Sequence, residues 1–324
     1  MNTRENRTSG TEDRHPRIHP TLLEGRGLEP SSEQATRGRD HRLVHDATRR
    51  VGSAGYCRGV ISLLGIPIDA NSSHLFGPAK GPSSIRTSLA SESHNNSSES
   101  SVDVLSQIDD VGDVSVANER GSTADAAAIT SAVQTQLEAG RQVISLGGDH
   151  SVTYPILQAF RQRHDELTVV HIDAHPDLYD DLDGNPLSHA SPFARALEEG
   201  CMANLVQLGI RTATPHQIEQ GERWGVATYS PRSLHEFDAA ELRGPIYLSI
   251  DLDGLDPSAA PGVSHHEPGG LTVREVLDII ESLPGPLVGA DIVELNPDRD
   301  VVEMTSMVAA KLVKEVAAAM LLRA

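Results

Sequence analysis

Short apolar runs, separated by glycine turns and by amphipathic stretches, recur along this chain from Val60 onward. Val60, Ile61, Leu63, Leu64 and Ile66 make the first run, which ends at Pro67 and Asp69. Comparable runs follow at Val143 to Leu146, Val169 to Ile172, Leu205 to Ile210, Ile246 to Leu252 and Leu287 to Val293, with weaker ones at Ile108 to Gly112 and Val226 to Tyr229. Runs this short, apolar at nearly every position, predict strands buried on both faces. Helical patterns lie between them. A short helix is expected over Ser84 to Leu89 and another over Tyr154 to Phe160. Ser122 and Asp125 predict a capping box opening a helix through Ala139, with Ile129, Val133 and Leu137 as its buried stripe and Gly140 as its stop. Ser191, Pro192 and Gly200 bound a further helix, Thr272 with Glu275 opens one through Leu283, and Met304 to Leu321 closes the chain. The alternation predicts an α/β fold: a single three-layer α/β/α domain around a mostly parallel sheet.

Residues 1–58 lack either period and mix Arg, Glu, Ser, Gly and Pro, so they read as a disordered or loosely docked extension preceding a catalytic domain at 59–324. Ser91 to Ser101 is Ser-rich and reads as an exposed loop. Charge separates the two parts: 1–59 holds 11 Arg and 8 acidic residues, leaving 16 basic and 38 acidic residues in 60–324. A body so acidic favours cationic small ligands and disfavours nucleic acid and anionic membranes as partners. Acids at Glu5, Glu12, Asp13 and Glu24 argue against a targeting segment, and Cys57 and Cys201 form no metal or redox spacing. A cytoplasmic location is the resulting expectation.

In sheets of this kind ligands sit beyond the carboxyl ends of the strands. Three polar clusters fall there: His150 after the Val143 run, Asp173, His175 and Asp177 after the Val169 run, and Asp251 and Asp253 after the Ile246 run. Residues two apart on an extended chain share a side, so an extended exit from Ile172 would aim Asp173, His175 and Asp177 into one cavity. One tetrahedral zinc takes three or four ligands and favours His and Cys. Four carboxylates and two imidazoles suit instead a pair of hard or borderline divalent ions, Mn²⁺ foremost and Ni²⁺ among the alternatives. Such a pair activates a shared water near neutral pH. Taken singly, each residue has a plainer reading: Asp149 caps a helix, Asp256 with Pro257 turns the chain, and His164 and His216 sit at the surface.

The segments GGDHS at 147–151, DAHPD at 173–177, SIDLDGLDPSAAPG at 249–262 and GADIVELNP at 289–297 resemble the ureohydrolases, the family of arginase and agmatinase. NSSHLFGPAKGP, DGNPLSHASPFARAL and PGVSHHEPGG resemble its plant-type arginase branch and bacterial relatives. The resemblance implies a binuclear-manganese enzyme that cleaves a guanidino compound to urea and an amine. It makes Asp173 and Asp251 bridging ligands, places His150 and Asp177 at one ion and His175 and Asp253 at the other, and gives His189 a proton-shuttling role. Glu294 would face the substrate guanidinium, a group that keeps its charge at ordinary pH. It also implies a homotrimer or homohexamer. Arginine and agmatine are the leading substrates, with guanidinobutyrate and guanidine as further possibilities. Tyr179, Asn185 and Ser188 are candidate substrate contacts, the last two equally suited to shaping their loop. A metal-binding pseudoenzyme or a single-zinc deacetylase-like hydrolase would lack part of this residue set.

Overall fold

The computed structural model describes residues 61–93 and 95–323. The predicted extension, the boundary at 58/59, Val60 and Cys57 lie outside the described residues. Those described hold one eight-stranded sheet, built from β1 (Ile61–Ile66), β2 (Ile108–Asp113), β3 (Gln142–Gly147), β4 (Thr168–Ile172), β5 (Asn204–Leu208), β6 (Ala227–Tyr229), β7 (Ile246–Asp251) and β8 (Leu287–Val293). Its order is β2-β1-β3-β8-β7-β4-β5-β6, and every pairing is parallel.

Among the described residues seven α-helices cover it: α1 (Gly81–Leu89), α2 (Thr123–Glu138), α3 (Thr153–Arg161), α4 (Pro192–Glu198), α5 (Pro215–Trp224), α6 (Val273–Ser282) and α7 (Met304–Leu322). Strand alternation divides the core. Ile61, Leu63, Ile144, Leu146, Val170, Ile172, Leu248 and Ile250 pack with α1, α6 and α7. Leu64, Ile66, Val143, Val169 and Tyr247 pack with α2, α3 and α4. A parallel sheet buried on both faces needs apolar side chains at both parities, which is why its strands read as continuous runs. Within α7, Leu312, Val316 and Met320 are buried against the sheet, as the pattern predicts.

Helix ends differ from the sequence reading in three places. Ser122 Oγ does accept from Asp125 N at 3.1 Å, but the Asp125 carboxylate turns to Ala117 N and Glu119 N, so the box is half-formed. Ser191 precedes α4 without capping it, and its Oγ is buried and unpaired. The helix α5 is absent from the expectation altogether, although Thr214 and Gln217 form a complete capping box and Gly225 closes it at φ 67°. Its buried positions are the polar Gln217 and Gln220, so no apolar stripe announces it. The Ser-rich loop is largely exposed, yet Glu99 anchors it to Arg274 and Lys311. No helix among the described residues is long and apolar enough to cross a membrane.

Candidate metal centre

Four adjacent strands, β3, β8, β7 and β4, end side by side and deliver the site. The turn after β3 requires glycine at 148, since a Cβ there would lie 1.8 Å from the Ile68 carbonyl oxygen. The Gly148 carbonyl accepts from Glu294 N at 2.8 Å, tying this turn to the end of β8. Asp177 and Glu294 both adopt left-handed backbone, at φ 51° and 63°. Non-glycine residues hold that conformation when their surroundings enforce it. The expected extended exit from β4 is thus corrected: the chain turns at Asp177, and its side chain reaches the cluster through that turn.

His150 Nδ1 lies 3.0 Å from Asp177 Oδ2, 3.1 Å from Asp173 Oδ2 and 3.2 Å from Asp251 Oδ2. None of these contacts has hydrogen-bond geometry, and Nδ1 is buried without a partner. Nε2 lies 3.0 Å from Ser249 Oγ, whose own hydrogen goes to Asp291 Oδ1 at 2.6 Å. The serine oxygen therefore accepts from Nε2, and Nδ1 keeps a lone pair aimed at three carboxylate oxygens. Four electron-rich atoms at this spacing are stable only around positive charge. Burial depresses the His150 pKa, yet the three carboxylates outweigh it and hold it well above the ordinary value. A proton on Nδ1 would meet that demand in part, whereas a metal ion reaches all four atoms at once.

A second cluster adjoins the first. His175 Nδ1 lies 3.1 Å from Asp253 Oδ2 and 3.4 Å from Asp173 Oδ1, so Asp173 offers one oxygen to each side. Asp251 Oδ1 accepts from Asp253 N at 2.7 Å, and Asp253 Oδ1 from Ala174 N at 3.2 Å, which fixes both carboxylates. Burial, then repulsion from neighbouring carboxylates, lifts Asp251 well above its usual range and pushes Asp253 up to about 7. Divalent ions relieve both effects. The donor groups, His150, His171, Asp173 and Asp177 on one side and Asp173, His175 and Asp253 on the other, fit two such ions.

Glu294 and His189 face this centre. His189 Nδ1 donates to Glu294 Oε1 at 2.9 Å, and His150 N donates to the same oxygen at 3.0 Å. Glu294 Oε2 is buried with no partner. Glu294 makes no ion pair with Arg299, the plainer alternative for a glutamate at this position. At its other nitrogen, His189 Nε2 is 3.2 Å from Ser73 N and 2.9 Å from Ser73 Oγ, so it accepts from the first when neutral or donates to the second when charged. Burial disfavours that charge, but the Glu294 carboxylate raises the imidazole to about 9.

Beyond these residues opens a cavity of about 280 Å³, walled by Tyr179, Leu182, Thr212, Thr214, Gln217 and His265, with no Arg or Lys among its lining. Asn185 and Ser188 do not line it. Asn185 donates to Asn71 Oδ1 and accepts from Leu187 N, and Ser188 Oγ accepts from Ala190 N, so both shape the loop. Asp149 is likewise turned away, holding Ser151 and Asn71 N. Two residues at the centre were not singled out from the sequence. His265 packs its ring 5.4 Å from that of His189 and 5.6 Å from that of His175. His171, read only as a strand position, is buried beside Asp173.

Comparison with known proteins decides the family. Residues 60–319 match the model of the arginase family. The chain belongs to the arginase family. It is a ureohydrolase of the arginase type, with a buried His/Asp metal-ligand cluster. It is 41% identical over 293 residues to the mitochondrial arginase 1 of Arabidopsis thaliana, covering 86% of this chain and 85% of that one. The arginase structure from Medicago truncatula superposes with a TM-score of 0.76 at 40% identity, over 82% of this chain and 89% of that one. An N(1)-aminopropylagmatine ureohydrolase from Thermus thermophilus is 42% identical over 170 residues, half of this chain and 57% of its own. Among the plant relatives, arginases from Arabidopsis, Medicago and rice are named as mitochondrial, which overturns the expectation of a cytoplasmic location. Isolated cysteines argue only against an oxidising compartment, and scattered acids do not outweigh 11 arginines in 1–59.

Proposed function

We propose that this arginase-family chain hydrolyses L-arginine to urea and ornithine with two Mn²⁺ ions. Its own donor set is Asp173 and Asp251, shared between the sites, with His150 and Asp177 on one side and His175 and Asp253 on the other. When bound, such ions supply a nucleophilic water at neutral pH and a clamp for the developing oxyanion. The observation that carries the substrate class is Glu294. Its Oε1 is taken by His150 N and His189, and its Oε2 is a buried acceptor left over at the cavity. A guanidinium supplies the N–H donors and positive charge that this oxygen lacks. His189, already hydrogen-bonded to Glu294 and Ser73, is placed to pass a proton to the departing amine.

Arginine and agmatine differ at the far end of the substrate, against the wall. The acidic run after Tyr179 would favour a second cation if its charge were free. Asp180, however, lies 3.3 Å from His216 Nε2 and accepts from Gln220 at 2.5 Å, so the carboxylate is already engaged. That favours arginine, whose α-carboxylate would meet the Thr212 hydroxyl at the cavity wall. The partial likeness to an aminopropylagmatine ureohydrolase supports agmatine derivatives as the second reading.

Urea release with Mn²⁺ should be compared across arginine, agmatine, N(1)-aminopropylagmatine, guanidinobutyrate and guanidine. Arginine is expected to give the highest kcat/KM, and a higher value for agmatine would move the assignment to the second reading. Residues 1–58 are read as dispensable for this activity. The family resemblance further suggests three or six copies, which sedimentation would count.

A further inference from the structure

His171 is the penultimate residue of β4, fully buried, with its ring centroid 4.1 Å from that of Phe193. Its Nε2 lies 2.7 Å from Asp173 Oδ2, close enough to His150, Asp173 and Asp177 to qualify as a metal ligand by position alone. The other ring nitrogen decides otherwise. Gln207 Nε2 lies 3.1 Å from His171 Nδ1 and 2.6 Å from the Pro176 carbonyl oxygen. An amide nitrogen has two hydrogens, and these contacts use both. Reversing the amide would press two oxygens together at Pro176, across 2.6 Å. His171 Nδ1 is therefore an acceptor, and the neutral ring carries its hydrogen on Nε2. That hydrogen points at Asp173 across 2.7 Å, leaving no room for an ion between them.

We propose that Gln207 locks His171 as a donor to Asp173, and that this positioning residue makes the two ion sites unequal. The proposal rests on the two-ion reading above. Asp173 Oδ2, which receives the His171 hydrogen, is the oxygen facing His150, Asp177 and Asp251. Oδ1 faces His175 and Asp253 and receives only the His175 backbone N–H, at 2.6 Å. The His171 bond thus orients the shared carboxylate from the His150 side alone. Removing it frees Oδ2 to swing, while the backbone N–H continues to hold Oδ1. Outer partners of metal ligands typically contribute ~10- to 100-fold in affinity, and here the loss falls on one ion of the pair.

Two measurements on the full-length enzyme test this. In the metal-free protein labelled with ¹⁵N-histidine, the imidazole spectrum of His171 should show a protonated Nε2 and an acceptor Nδ1, and the opposite tautomer overturns the lock. Calorimetric Mn²⁺ titration then compares wild type with His171→Phe, Gln207→Leu and His171→Gln, the last retaining an amide donor near the Nε2 position. In the first two variants one equivalent should weaken ~10- to 100-fold while the other holds, and His171→Gln should bind as wild type does. Equal weakening of both equivalents, or of neither, overturns the proposal. If His171→Phe does not fold by circular dichroism, Gln207→Leu and the spectrum carry the test without it. Wild type binding fewer than two ions would sink the two-ion reading, and the spectrum still judges the lock.

Discussion

The floor of the site and its outer wall are built on different principles. The floor residues sit at or just beyond the ends of β3, β4, β7 and β8, and all but His175 are buried below a tenth exposed. Four parallel strands in register place them, so moving one would require moving a strand. The wall comes from the loop after Asp177, the start of α5 and His265, and side-chain hydrogen bonds hold the first two. Gln220 binds Asp180, Arg120 reaches the carbonyls of Leu182 and Asp183, and Thr214 and Gln217 cap α5. The ligand cluster is thereby held by the sheet, whereas the wall, and with it His189 on the same loop, is held by hydrogen bonds between loops and helix starts.

The largest effect should come from the floor. Asp177→Ala removes one of the three carboxylates around His150 and is expected to abolish Mn²⁺-dependent urea release. Its loss should exceed the ~100-fold that removal of an outer partner gives. Deletion of residues 1–58 from the same protein should leave kcat unchanged. Activity surviving the substitution would take Asp177 out of the centre.

Glu294→Gln is the next step down and breaks the floor at its link to the substrate. A charge-assisted hydrogen bond contributes ~1.5–3 kcal/mol, so kcat/KM for arginine should fall roughly ten- to hundredfold. The same pair predicts a pH dependence of stability in the metal-free protein. Burial opposes the His189 charge, but Glu294 raises its pKa from 6.5 to about 9, and burial opposes the Glu294 charge, but His189 holds its pKa below 4.5. A raised base stabilises fully below its unfolded pKa and loses that contribution as pH climbs through the folded one. A depressed acid does so above its unfolded pKa. The pair should therefore stabilise most between pH 4.5 and 6.5 and fade towards 9. Urea melts of wild type and Glu294→Gln should converge over that upper range, and a constant gap to pH 10 would refute the pairing.

The same division explains what the sequence made legible. Strand runs and the polar clusters behind them could be read because a parallel sheet imposes short apolar segments and places ligands at their carboxyl ends. The wall left weaker marks. Helix α5 buries glutamines, His265 carries no spacing relation to the DAHPD run, and His171 counted as strand because its partner Gln207 lies on β5, 36 residues away in sequence. Ser191 and Asp125 mislead in the opposite direction. Each has the right residue type at a helix start, but Ser191 Oγ is buried without a partner and the Asp125 carboxylate turns to the backbone of the preceding loop.

The smallest effect offers the finest test, because the described residues contain two complete capping boxes, only one of them at the cavity. In α6, Thr272 Oγ1 accepts from Glu275 N at 3.1 Å, and Glu275 Oε2 accepts from Thr272 N at 2.8 Å. In α5 the matching distances are 3.4 Å and 3.1 Å. Loss of a cap typically costs about 1 kcal/mol, so Thr272→Ala should lower stability by about that much and Thr214→Ala by somewhat less. Kinetics should rank them the other way. Thr214 lines the cavity and Thr272 does not, so Thr214→Ala should raise KM for arginine several-fold with kcat intact, while Thr272→Ala leaves both constants alone. A kcat loss in Thr214→Ala would mean that the wall takes part in the chemistry after all, and the separation of floor from wall would fail at that residue.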